Sequence, residues 1–439
     1  MVWRLADHPS TALWCGNNEI EQGWAYWGWR KSMPHRFVDF IKLFCRTLPA
    51  VIRRLDPQRP YRACSESSGP PYGVHPKDPR KGDVHYWGVW VRSEPIEAYE
   101  KLRSRFVSEF GFGSFSDMSS MRKVIPAAQL RLGSAAIEDR MRWPAANVRD
   151  QYPNGMRVLE KYLGEHTGIP DDFERVVYLS MLLQGFAIQT AIEAWRRQKP
   201  FCMGGLYWQL DACWPEIGWA SLDYHGRWKA LHYMARRFFA PVLASAQLVE
   251  GGAELYVSSD VDRPLAGRLQ WALMSFDGSV LESGREPVRL KPQENRRILR
   301  LRLGQHDPKT VFLSYHFAAA GRGSRNVKFF APFKDLALGR PSLRHRVVGR
   351  PLSLAVEVSA DRPAFYVYLN QNDVAGHFQD NFFHLMRGET RRIAFDGPAS
   401  AAQLRKQLSV AHLGAAPMSA ASAVPCGSRT GPADPHRQI

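Results

Sequence analysis

Residues 11–24 read TALWCGNNEIEQGW, an apolar stretch that turns polar within a few positions. The run 11–14 is expected as a buried strand, and Gly16, Asn17 and Asn18 break it immediately before Glu19. A carboxylate in a polar loop at a strand's C-terminal end is the arrangement from which parallel α/β folds build their sites. Downstream, Phe37, Phe40, Ile41, Phe44 and Leu48 fall at helical spacing, and a short strand is expected at 61–64. Strand, helix and strand therefore follow one another within the first seventy or so residues.

The pattern continues at 83–87 (DVHYW), 105–108 (RFVS) and 204–208 (GGLYW), with a long helix expected over 171–197 that offers Val176, Val177, Leu182, Leu183, Phe186 and Trp195 for burial. Each short strand ends in polar or aromatic residues, which suits a barrel or an open α/β sheet. Past Pro241 the period changes to two: Leu269, Trp271, Leu273 and Ser275 precede an Asp277-Gly278 turn, and Leu299, Leu301 and Leu303 alternate with arginines. The run GRGSRN (321–326) reads as a linker before a second alternating region, Leu352, Leu354, Val356 and Val358. Two small β-sandwich domains follow from this. From about residue 411 the chain is rich in Ala, Ser, Gly and Pro without period and is expected to be a disordered tail.

Composition bounds the possibilities. With 439 residues, 45% hydrophobic and 12% aromatic, the chain holds material for two or three cores, which excludes disorder as the main state. The six cysteines are too few and too scattered for a disulfide-built fold, and no CxxC pair suggests a structural zinc site. MVWRLADHPS has no apolar signal-peptide core, and no run of eighteen apolar residues stands out, so a soluble chain is expected, with no membrane partner. The net charge of +17 comes from arginines spread through helices and strands, as in RRILRLRL and RHRVVGR. These read as solvated faces, not as a nucleic-acid track.

Chemistry centres on two carboxylates beyond strand ends, Glu19 after GNN and Glu109 in RFVSEFGFGSF (105–115). Their bland alternatives are a helix N-terminal charge and a solvated turn residue. Trp14, Trp24, Tyr26, Trp27 and Trp29 flank the first in sequence; Phe106, Phe110, Phe112 and Phe115 flank the second. Flat apolar rings beside partly desolvated carboxylates are what glycoside chemistry needs, since rings pack on pyranose faces while carboxylates exchange protons. Nucleic-acid binding would interleave its aromatics with clustered Lys and Arg, and few basic residues lie near either glutamate.

The chain resembles the β-mannosidases of glycoside hydrolase family 2. The resemblance runs through HPSTALWCGNNEIEQGW (8–24), GDVHYWGVW (82–90), FVSEFGFGSF (106–115), the long stretch from GGLYWQLDACW to RRFFAPVL (204–243) and FQDNFFHLMRGE (378–389). It implies an α/β fold consisting of a partial (β/α)8 TIM barrel, strands 4 to 8, followed by immunoglobulin-like β-sandwich domains. The expected division is 1–240 for the barrel part, 241–323 and 324–410 for the two sandwiches, and 411–439 for the tail.

By the same resemblance Glu19 is the general acid/base and Glu109 the nucleophile of a retaining exo-hydrolase acting on terminal β-D-mannose of mannosides and manno-oligosaccharides. Asn18 matches the asparagine that bonds the sugar 2-hydroxyl, with turn formation as its plain alternative. Trp208 resembles the platform under the terminal sugar, although core packing would also suit it. His85 and Trp87 are candidate substrate or carboxylate contacts. Asp211, with Trp214 and Trp219, is placed at the pocket mouth, where capping of local backbone is Asp211's other reading. No cofactor or metal is implied: His75, Asp83 and His85 lack a zinc spacing, and Cys15 reads as a small buried side chain.

The resemblance also implies that barrel strands 1 to 3 and the preceding β domains have no counterpart here, so the missing N-terminal part of the enzyme is an implied partner and the isolated chain is expected to be inactive. The alternative is a non-catalytic carbohydrate-binding remnant. A basic nucleic-acid-binding protein would require the arginines to converge on one groove. The absence of an Asn-x-Ser/Thr acceptor leans toward a bacterial cytoplasm or periplasm rather than a lysosome.

Overall fold

A computed structural model describes residues 1–141, 154–350 and 352–415. Its first half alternates short strands with helices. β1 (Trp14–Cys15) pairs in parallel with β2 (Tyr61–Arg62), and β3 (Val84–Tyr86) pairs in parallel with β4 (Val107–Phe110). Single bridges extend the succession: Asn18 runs parallel to Ser65, Ser67 meets Asp83, and Val107 runs parallel to Gly205. Helical connections between strands enforce parallel pairing and bring the strand C-termini to one edge.

The helix Phe173–Arg197 is the main support behind these strands. Asp172 accepts a hydrogen bond from the Glu174 amide at its start, and Arg196 and Arg197 lie in its last turn, so both ends match the helix dipole. By length and composition this helix could cross a membrane, which the sequence reading did not flag; its window is 89% buried within the fold, as befits a core helix. Val176, Leu182, Leu183 and Trp195 join the principal core with Val107, Phe110 and Phe112.

Two antiparallel sandwiches follow. The first stacks the sheet β5 (Val242–Val249), β6 (Gly252–Ser259) and β9 (Asn295–Arg302) on a sheet of order β11-β10-β7-β8, where β7 is Leu265–Ser275, β8 Val280–Leu290, β10 Val311–Ala319 and β11 Arg322–Phe329. Leu255, Leu269, Leu313 and Phe317 fill the space between them. The second contains β12 (Leu343–Val348), β13 (Leu354–Ala360), β14 (Ala364–Asn370), β15 (His377–Phe378), β16 (Phe383–Leu385), β17 (Thr390–Asp396) and β18 (Ser409–Ala411) around Val356, Val358, Val367 and Leu385.

Three expectations change. GRGSRN is no linker: residues 322–329 form β11, which pairs with β10 from Ala319↔Arg322 to Phe312↔Phe329, so the first sandwich continues past residue 323. The tail does not begin at 411, because Ala411 pairs with Tyr368 in β14, Leu413 is buried and the Leu413 amide donates to the Phe365 carbonyl at 2.9 Å. The rest of the expected tail, 416–439, lies outside the described residues. Cys15 is exposed, since the side chain of Trp14 takes the inward position of β1.

Candidate active site

β3 and β4 bring the central residues together. Their register sets His85 beside Glu109, and His85 reaches across to the loop after β1. His85 Nδ1 lies 2.7 Å from Glu19 Oε1 and 3.7 Å from Glu109 Oε2. The Trp87 indole donates to Glu109 Oε1 at 3.0 Å. Glu19 occupies the position just before the helix Ile20–Tyr26 with φ of 61°, a left-handed conformation that projects its side chain toward β3 and not along the helix.

Electrostatics follow from burial. Glu109 is 8% exposed, so it is no solvated turn residue, and desolvation pushes its pKa up against the opposing effect of His85 and the Trp87 hydrogen bond. Burial of His85 disfavours charge, yet the hydrogen bond to Glu19 and the charges of Glu109, Glu19 and Glu66 together hold its pKa above the ordinary histidine value.

A second layer lies behind this trio. Glu66, fully buried, accepts from the His85 backbone amide at 2.6 Å and pairs with Lys77 at 3.0 Å; desolvation pushes its pKa up to about 7. Ser65 Oγ is 3.0 Å from His85 Nε2 and donates to Asp83 Oδ2 at 2.7 Å, while Ser108 donates to the same oxygen at 2.6 Å. Ser65, Glu66, Lys77 and Ser108 were missed from sequence. Glu66 carried a usable signal, since it follows the strand at 61–64 as Glu19 follows β1.

Other candidates stand apart. Trp208 is 41% exposed, and its backbone amide donates to the Phe110 carbonyl at 2.7 Å, which holds it next to β4. Trp87 packs edge-on against Trp219 at 5.6 Å. Asn18 and Asp211 are exposed and, among the described residues, make no side-chain hydrogen bond to either glutamate. The aromatics around Glu19 in sequence are engaged elsewhere: Trp14 donates to Asp56, Trp24 stacks on Phe37 and Trp27 meets Trp29 edge-on. One ligating atom each from Glu19, His85 and Glu109 lies within 4.8 Å of the others, close enough for a cation to bridge. Both ring nitrogens of His85 already face protein partners, so the trio fits proton exchange better than metal ligation.

Similarity to known proteins extends over most of the chain. Residues 251–335 match a family described as a mannosidase Ig/CBM-like domain, and residues 338–416 match the mannosidase family of Ig-fold domains. The β-mannosidase of Capra hircus is 27% identical over 453 residues, covering 94% of this chain and 50% of that protein. The β-mannosidase B of Thermothelomyces thermophilus is 28% identical, covering 90% and 50%. Among solved structures, the β-D-mannosidase of Dictyoglomus thermophilum aligns with a TM-score of 0.80 at 26% identity over 94% of this chain and 49% of that one. The Amycolatopsis orientalis exo-chitosanase shares the fold, with a TM-score of 0.66 at 16% identity, over 94% and 52%. The chain thus spans about half the length of the curated relatives it matches, and over that span it is similar to the C-terminal portion of β-mannosidases.

Proposed function

We propose that Glu19 and Glu109 are the acid/base and the nucleophile of a retaining exo-β-D-mannosidase site, carried on strands 4 to 8 of a (β/α)8 barrel. The observation that supports this most is the approach of the two carboxylates to within 4.8 Å of one another at the ends of parallel strands, with His85 between them. Retaining glycosidases hold their carboxyl groups about 5 to 5.5 Å apart, whereas inverting ones leave about 6.5 to 9.5 Å for a water.

In the first displacement the ionised Glu109 attacks the anomeric carbon of a terminal β-mannoside while Glu19 gives its proton to the leaving oxygen. A covalent mannosyl-enzyme results. Water, deprotonated by Glu19, then attacks the same carbon and releases mannose with configuration retained. The Trp87 N–H and His85 both favour the ionised form of Glu109 that the first step needs. Trp208 is the proposed platform for the sugar ring, with Asn18 on its 2-hydroxyl and Asp211 at the mouth.

Residues 1–439 as a separate chain are proposed not to turn over glycosides. β1 has no strand on the side away from β2 among the described residues, and the relatives devote the other half of their length to regions this chain does not match. The test is hydrolysis of an aryl β-D-mannoside, measured for this chain alone and for this chain joined to the N-terminal half of a relative. Turnover is expected only in the joined protein, and Glu109→Ala should abolish it. Turnover that survives Glu109→Ala would remove the nucleophile assignment. Sugar binding without turnover in the joined protein would favour the carbohydrate-binding remnant.

A further inference from the structure

We infer that Asp83, acting through Ser65, fixes the tautomer of His85 and so leaves Glu19 a single oxygen with which to exchange its proton. The tautomer follows from the geometry alone; its consequence for Glu19 rests on the proposed function.

Each proton along this chain of bonds has one place to go. Asp83 Oδ2 is the nearest acceptor for two hydroxyls, Ser65 at 2.7 Å and Ser108 at 2.6 Å. A carboxylate oxygen donates nothing, so both serine protons point at Asp83. Ser65 Oγ has only one proton to give, and with that proton on Asp83 it faces His85 Nε2, 3.0 Å away, with a lone pair. Nε2 must therefore carry hydrogen. Asp83 is itself held by the Ser67 amide at 3.2 Å and by Arg62 at 3.8 Å, so the chain of bonds is anchored on both sides of the carboxylate.

With Nε2 protonated, the other nitrogen has a defined task. Nδ1 lies 2.7 Å from Glu19 Oε1, a separation at which two bare lone pairs would repel, so a proton sits between them. Oε1 is thereby occupied, and Oε2 is the oxygen left to meet a glycosidic oxygen or a water. The His85 side chain is 1% exposed and its backbone amide is tied to Glu66, so the ring has no room to turn and reverse the arrangement. The charged groups facing it are Glu19 and Glu109 in front, Glu66 with Lys77 behind, and Asp83 with Arg62 beyond Ser65. Asp83 is a positioning residue on this account, because it touches neither substrate nor the reacting atoms.

Imidazole ¹⁵N spectra of the full chain test this. The chain has 14 histidines, and the His85 signals are identified by their loss in His85→Gln. From about pH 5 to about pH 9, the range over which histidines change charge, Nε2 of His85 should stay protonated and any titration should register at Nδ1. Ser65→Thr, which keeps the hydroxyl, should preserve that signature. Ser65→Ala removes the acceptor and Asp83→Asn lets Ser65 turn its proton toward Nε2, so both should shift His85 toward the opposite tautomer. An unprotonated Nε2 in the wild-type chain overturns the inference, as does a folded Asp83→Asn variant with unchanged ring signals. Should the variants fail to fold, the wild-type series decides alone. A protonated Nε2 in a joined protein without turnover would count against the proposed function only.

Discussion

At the scale of single residues, Glu66 shows how the layer behind the site ties function to stability. Its carboxyl is fully buried with Lys77 beside it, and its pKa of about 7 stands above the ordinary value of 4.5. A raised folded pKa means that the folded state holds the proton more tightly than the unfolded chain. The associated stability is complete below about pH 4.5 and is lost as pH rises through about 7, at most about 3 kcal/mol. Glu66→Gln has nothing to ionise, so its stability relative to wild type should grow over that interval. Urea unfolding at both ends of the window measures the difference, and parallel pH profiles for the two proteins would refute it. His85 has the same sign, since its raised pKa also favours the protonated folded state. Glu19 was legible in the sequence because it follows an apolar strand in a polar loop, and Glu109 because aromatic residues surround it, although it stands within β4 and not beyond the strand's end as expected. Ser65 and Ser108 were not: an isolated serine has no periodicity to betray it, and its importance comes only from the pairing that sets Ser65 beside Asn18 and Ser108 on the strand next to β3.

Among elements, the join between β4 and the segment 204–208, which forms a single bridge at Gly205 in place of the expected strand, depends on Gly111. A Cβ at that position would lie 2.6 Å from the Trp208 carbonyl oxygen and 2.8 Å from the Trp87 ring. Backbone cannot yield there without moving the tryptophan that bonds Glu109. Gly111→Ala should therefore destabilise the chain by about 1 to 3 kcal/mol and displace the Trp87 ring from Glu109. Unfolding curves and tryptophan emission report the two effects, and a variant with unchanged stability and emission would show that the contact is slack. At this scale the sequence was readable where one face of an element is buried, as in helix Phe173–Arg197 or the Leu269 and Leu273 positions of β7. It misled at β11, whose opening run with Gly323, Arg322 and Arg325 resembles a linker. β11 is an edge strand, and charged side chains on an edge discourage pairing with other chains while erasing the apolar alternation that would have identified it.

Over the whole molecule, support is uneven. The N-terminal strands rest on a small cluster of three buried residues, Phe40, Ala63 and Cys64, whereas Leu13, Trp27, Val38 and Leu43 are exposed. Helix Phe173–Arg197 lies in the large core. Amide hydrogen exchange should accordingly run faster in residues 11–65 than in 173–197, because local opening is easiest where few apolar contacts hold it. Equal protection in the two regions would contradict this picture. The sequence could not have revealed the imbalance, since apolar residues in a short strand or helix look alike whether or not a partner covers them.

The helix Phe173–Arg197 is gripped in three places: the Tyr178 hydroxyl donates to the Tyr366 carbonyl of the second sandwich at 2.8 Å, Arg196 meets Asp260 of the first at 3.0 Å, and the ring of Trp195 stands 4.5 Å from that of Phe110, the residue after Glu109. A stiff rod clamped at both ends transmits displacement along its length, so the two sandwiches act as the bearings on which the strand of Glu109 is aligned. Loosening either bearing would set the aim of Glu109 adrift without altering a single atom of the site.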